Sequence, residues 1–212
     1  MIRTKLCDLI GIEYPIIQGG MAWVANGELV AAVSAAGGLG IIGAGNAPPE
    51  VIKAEIAKVR DVTDKPFGVN IYYMSPYVEA LVDLIIDYKV PVVTTGAGNP
   101  GKHISRLKQA GTKIFPVVSS VALAKRLTRQ GVDGIIAEGL ECGGHVGDIT
   151  SISLLPQIVD AIDLPVIAAG GIADGRGLVA ALALGACGVQ MGTRFICAEE
   201  CKVHYRYKEA IL

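Results

Sequence analysis

The residues able to do chemistry in this chain collect where short apolar runs give way to glycine. Residues 132–148 read "VDGIIAEGLECGGHVGD": an apolar stretch delivers Glu138, and a glycine-rich turn then carries His145, one of only three histidines. An imidazole with an unperturbed pKa of about 6.5 can give or accept a proton near neutrality, and Gly143 and Gly144 allow a turn that swings it across a neighbouring site. The alternative for a turn histidine is plain solvation. His103, in "GNPGKH", and His204, in "KVHYRYK", lack such a setting and are expected at the surface. Glu138 either faces a ligand or pairs with a lysine or neighbouring N–H groups.

A second set of residues suits an anion and a flat ring. "VIAAGGIADGRG" puts Gly170 and Gly171 at the end of one apolar run, and "VQMGTRF" puts Gly192 and Thr193 at the end of the next, just after Gln190 and Met191. Backbone N–H groups freed by glycine and aimed toward a helix N-terminus form a phosphate seat, so a phosphorylated ligand is expected; the alternative is that these glycines only make tight turns. Near the N-terminus, "QGGMAW" (residues 18–23) offers Gly19 and Gly20 for close backbone approach and Met21 and Ala22 as an apolar wall. Asn70 supplies a donor and an acceptor. A planar heteroaromatic ring with polar edges fits those groups. Met21 alternatively belongs to the core, and Trp23 to a contact with the first helix.

The elements that must position these residues follow from periodicity. Eight short apolar runs begin near Tyr14, Gly38, Lys65, Val90, Lys113, Val132, Leu164 and Cys187. Proline stands at or near the start of five (Pro15, Pro66, Pro91, Pro116, Pro165), where a missing N–H costs a sheet least. Between them lie segments of helical period such as "PEVIKAEIAKVRDVT" and "SPYVEALVDLIIDYK". Alternating strands and helices imply a parallel sheet, closed either as an open doubly wound sheet or as an eight-stranded barrel. Eight units favour an α/β fold of the TIM-type (β/α)8 class, in which the polar and glycine-bearing strand ends converge on one face. Only sixteen residues follow Ile196, so the eighth helix is expected to be short, displaced or absent.

Composition narrows the function classes. The 212 residues suit one domain, with 51% apolar but only 5% aromatic residues, so Val, Ile, Leu and Ala must build the core. A net charge of -1 without a basic stripe excludes the ordinary nucleic-acid footprint. No apolar run reaches a membrane span, and the first residues lack the apolar core of a signal peptide, so a cytoplasmic protein is expected. Five cysteines without a C-x-x-C pair read as free thiols, Cys197 and Cys201 as small buried residues, with no metal site.

The motifs "PIIQGGMAW", "AGGLGIIGAG", "KPFGVNI", "AEGLECGGHVG", "PVIAAGGIADGRG" and "VQMGTRF" together make the chain resemble the FMN-dependent nitronate monooxygenase family, formerly called 2-nitropropane dioxygenases. "TTGAGNP", "GGMAW" and "GGLGIIG" are most similar to its enoyl-acyl-carrier-protein reductase II branch. The resemblance covers residues 1–212, which it implies to be a single FMN-binding barrel. It implies that Gly20, Met21 and Ala22 face the flavin ring, that Asn70 reaches its polar edge and that Glu138 lies near the ribityl chain. Gly170, Gly171, Gly192 and Thr193 would hold the phosphate, with Gln190 or Met191 nearby. His145 falls on the histidine of the family's "GGH" motif, to which an acid/base or substrate-orienting role belongs. The implied reaction reduces a trans-2-enoyl thioester on acyl carrier protein with NADH or NADPH. The alternatives are a nitronate monooxygenase using oxygen and a flavin-binding module without turnover. A homodimer is expected from the same resemblance. Family members usually continue beyond "YKEAIL", so the substrate wall is expected to be shortened here. Cys142 stands where a smaller residue is usual, close enough to the flavin to merit a thiol-reactivity test.

Overall fold

Each apolar run becomes a strand in the computed structural model, which describes residues 2–144 and 147–212. The strands are β1 (Ile16–Gln18), β2 (Leu39–Gly43), β3 (Phe67–Tyr72), β4 (Val92–Gly96), β5 (Lys113–Val118), β6 (Ile135–Glu138), β7 (Val166–Ala169) and β8 (Gly188–Met191). All pair in parallel in chain order, and β8 returns to β1 through Ile17 opposite Gln190, closing a (β/α)8 barrel. A helix follows nearly every strand: α2 (Gly27–Ala35), α3 (Pro49–Val62), α4 (Val78–Asp87), α5 (Gly101–Gln109), α6 (Val121–Thr128), α7 (Ser151–Val159) and α8 (Gly175–Ala183). After β8 come only the short α9 (Thr193–Ile196) and α10 (Tyr205–Glu209), matching the expectation for that segment. Among the described residues no helix is long and apolar enough to cross a membrane.

The period-two alternation of side chains splits the core in two. Outward residues such as Val69, Ile71, Val93, Ile135, Ala168 and Val189 pack beneath the helix layer. Inward residues Ile17, Leu39, Ile41, Val92, Phe115, Ile136 and Ile167 form a separate cluster with Leu6, Cys7 and Ile10 of α1 (Lys5–Ile10), which plugs the N-terminal end of the barrel. A Cβ at Gly134 would stand 2.6 Å from the Phe115 ring, so that glycine makes room for the largest fully buried side chain. With that end closed by apolar packing, the opposite end is left for polar groups.

Three expectations are corrected. Pro116 is the fourth residue of β5, not a strand opener; the β4 ladder ends at Pro116 and the β6 ladder begins at Val117, so the missing N–H falls at the change of partner. His103 is buried, at 1% exposure, because α5 turns His103, Ile104 and Leu107 inward together. Its Nδ1 lies 2.9 Å from the Tyr73 hydroxyl and its Nε2 3.1 Å from the Glu79 carboxylate of α4. Trp23 is not buried against the helix layer but 70% exposed. His204 is exposed, as expected, and accepts a bond from the N–H of Arg206 at the start of α10. All five cysteines are free, Cys7 and Cys201 buried.

Candidate active site

Continuing the alternation one layer toward the strand C-termini brings Asn70, Thr94, Glu138 and Gln190 to the inner face of the mouth. Asn70 and Thr94 are opposite each other in register, and the Asn70 amide donates to Thr94 Oγ1 at 2.9 Å, which fixes the carboxamide's orientation. Gly20 passes directly over Asn70: a Cβ there would stand 2.4 Å from Asn70 Cβ, so only glycine lets the β1 end cross at this depth. Gln18, fully buried, bonds the N–H and the carbonyl of Ile41 at 3.2 Å each, so its carboxamide substitutes for a peptide unit where the β1 backbone turns away.

Two cavities open on this face. One, of about 700 Å³, is lined by Gly20, Met21, Ala22, Glu138, Gly170, Gly171, Gln190, Gly192 and Thr193, among others. The second, of about 310 Å³, is lined by Asn70 and shares Gly20, Glu138 and Gln190 with the first. Ten of the eleven candidate residues thus line one continuous mouth whose volume lies in the range of cofactor pockets. His145 lies outside the described residues.

The Glu138 carboxyl is half-buried and interacts with the Cys142 thiol rather than with a lysine; burial pushes its pKa above the usual carboxylate range, against a smaller lowering by that thiol. Burial, reinforced by the Glu138 charge, pushes the Cys142 thiol up to about 12, so closeness to the mouth does not make it reactive. Glu141 was not anticipated from the sequence. Although burial opposes its ionisation, its carboxylate accepts from the Ser151 N–H (2.8 Å) and hydroxyl (2.9 Å), which together hold its pKa down. Ser151 Oγ also lies 3.1 Å from the Gly170 carbonyl, so the β6–α7 loop is tied to the end of β7. Ile172 and Tyr207 line the larger cavity as well; Glu141 stood inside the glycine-rich stretch as a signal, whereas Tyr207 carried none.

At the glycine end, Gly170 and Gly171 have φ of 110° and 71°. The N–H groups of Gly171, Gly192 and Thr193 have no acceptor among the described residues. The helix beyond β7 differs from expectation. Asp174 already caps α8, accepting from the Arg176 N–H at 2.9 Å and pairing with its guanidinium, which holds the Asp174 carboxyl at about 2. An anion at this end therefore has the loop N–H groups to bind, not the α8 terminus.

The family model for nitronate monooxygenase matches residues 3–81 and 74–212. The chain belongs to the nitronate monooxygenase family. Members of this family are flavin-dependent oxidoreductases. The structure of FabK from Thermotoga maritima is 55% identical and superposes with a TM-score of 0.97, covering 99% of this chain and 67% of that one. A "(3aS,4S,5R,7aS)-5-hydroxy-7a-methyl-1-oxo-octahydro-1H-indene-4-carboxyl-CoA dehydrogenase" from Rhodococcus jostii (strain RHA1) is 43% identical over 95% of this chain. A "probable nitronate monooxygenase" from Staphylococcus aureus (strain Newman) is 38% identical over 99% of it. This family member spans 57% of the length of the Rhodococcus relative and 72% of the staphylococcal one.

Proposed function

We propose that this chain is the FMN-binding barrel of a reductase that uses NADH or NADPH to reduce trans-2-enoyl thioesters carried on acyl carrier protein. The observation that carries the reading is the continuous mouth, with unpartnered N–H groups at its Gly171 and Gly192 end, Glu138 and Gln190 in the middle and the oriented Asn70 carboxamide at the other end. Those residues suit FMN. Gly170, Gly171, Gly192 and Thr193 would take its phosphate, the raised Glu138 carboxyl would donate to a ribityl oxygen, and Gly20, Met21 and Ala22 would wall its ring, with Asn70 at the polar edge. Bound FMN supplies the hydride chemistry that no side chain here can perform.

The chain's own residues bind, orient and move protons. Overall, NAD(P)H and one proton convert the C2=C3 bond of the enoyl thioester to a single bond, releasing NAD(P)+. Both substrates would use the same mouth in turn, which is the large opening of the barrel. His145 is assigned, from the resemblance, to orient or polarise the thioester carbonyl or to assist protonation at the α-carbon. FabK, an enoyl-acyl-carrier-protein reductase II, supports the acyl substrate. The Rhodococcus name supports a thioester, on coenzyme A. A homodimer is proposed with it.

The second reading is oxidation of an alkyl nitronate with oxygen, favoured by the family match and by the staphylococcal relative's name. Steady-state assays separate the two. NAD(P)H consumption that depends on a crotonyl thioester supports the reductase. Oxygen uptake with an alkyl nitronate and no thioester reduction supports the monooxygenase. Flavin binding with neither activity would leave only the module without turnover.

A further inference from the structure

Trp23 is the sole tryptophan of the chain and is 70% exposed. Among the described residues it is also one of three non-glycines in the left-handed region, with φ of 63°. Lys89 follows α4, where a helix end commonly adopts that conformation, and Ala97 lies in the β4–α5 loop at the mouth. A bulky side chain held there is strained, and this one is left mostly exposed.

The turn that holds it is braced on every side. The N–H groups of Val24 and Ala25 both donate to the Met21 carbonyl (3.1 and 2.8 Å), and the Ala25 carbonyl accepts from Gly43 N–H of β2 (3.0 Å). Met21, Ala22 and Val24 line the larger cavity, so the turn that carries Trp23 stands at its rim. No ring or cation among the described residues faces it. A rigidly presented indole beside a ligand cavity is a stacking surface for a planar π system.

We propose that Trp23 stacks the adenine ring of a nucleotide bound at the mouth. The choice of adenine rests on the reaction proposed above, in which the reductant carries an adenosine and the acyl donor does so when its carrier is coenzyme A. An adenine can stack one face on the indole at the rim while the N–H groups of the glycine end stay with the FMN phosphate.

The single indole reports the contact directly. In the flavin-loaded protein, ADP-ribose or coenzyme A should quench tryptophan fluorescence saturably, and which of the two does so assigns the nucleotide to the reductant or to the acyl donor. Trp23→Gly relieves the left-handed conformation, so it should melt no lower than the parent while its calorimetric dissociation constant for the quenching nucleotide rises about tenfold. Trp23→Phe should lose less than threefold. Absence of quenching by both compounds overturns the proposal, as does parental affinity in Trp23→Gly. Quenching that follows protein concentration without nucleotide would assign the indole to a second copy of the chain and also overturn it. Nucleotide quenching in a protein whose flavin NAD(P)H cannot reduce would leave the stacking intact and remove the reductase reading.

Discussion

Gly43→Ala tests how the β1 loop is held against the mouth. A Cβ at Gly43 would stand 2.2 Å from the Met21 carbonyl oxygen, 2.4 Å from Met21 C and 2.7 Å from Met21 N, all of them backbone atoms. Ordinary contact begins near 3.4 Å, so the Met21–Ala22 segment must withdraw by roughly 1 Å. Overpacking of that kind costs about 1–3 kcal/mol; with backbone atoms in the way the upper half of that range applies, and the stiffer unfolded chain returns about 0.4–1 kcal/mol, leaving a net loss of about 1–2.6 kcal/mol. The same displacement moves Met21 and Ala22 off the ring position, so FMN affinity should fall at least about tenfold, or 1.4 kcal/mol. Gly175→Ala is the control: its Cβ meets nothing within 4 Å and it lines neither cavity, so stability should stay level or rise by about 0.5–1 kcal/mol with FMN binding unchanged. Denaturant midpoints and flavin fluorescence titration read both effects. A Gly43→Ala protein matching the parent in midpoint and FMN affinity would refute the packing argument and the placement of the ring against this loop.

Other consequences follow from single groups. The raised pKa of Glu138 means that its stabilising neutral form is fully present below the ordinary carboxyl value and is lost as pH rises through the folded value. Glu138→Gln should therefore unfold at higher denaturant than the parent at neutral pH, the gap closing in acid; a pH-independent gap would contradict this. With its thiol at about 12 against an ordinary value near 9, Cys142 should alkylate at pH 8 at least about thirtyfold more slowly than an unstructured cysteine, measured by peptide mass spectrometry. Tyr73→Phe removes the hydroxyl 2.9 Å from buried His103 Nδ1 and should cost about 1–3 kcal/mol in urea unfolding. His145→Ala should keep flavin bound yet slow thioester reduction at least about a hundredfold, and unchanged turnover would remove the role assigned to it.

The barrel was legible because proline, glycine and near-continuous Val/Ile runs mark parallel strands buried on both faces. The mouth was legible for a related reason: glycine at a strand's C-terminal end, as at Gly20, Gly170 and Gly192, marks close backbone approach. What escaped depended on tertiary partners. His103 follows "GNPGK", a surface-like stretch, yet α5 turns it inward against Tyr73 and Glu79, residues 30 and 24 positions earlier. Glu141 looked like one more loop acid until Ser151 was found beside it. Asp174 stood in plain view within "IADGRG", but that it caps α8 depends on how the loop folds back on the Arg176 N–H. Pro116 obeyed the rule for proline in sheets by a route that spacing does not reveal, the handover between two ladders.

The most direct measurement of the central claim is the anaerobic half-reaction followed by its return. Purified protein loaded with FMN is mixed with NADH or NADPH in the absence of oxygen, and one equivalent of crotonyl thioester is then added. At least one reductant should bleach the yellow chromophore, and the thioester should then restore the colour with stoichiometric butyryl thioester. A protein that binds no FMN, or whose bound FMN neither reductant bleaches, would contradict that claim, as would reduced flavin that the thioester leaves colourless.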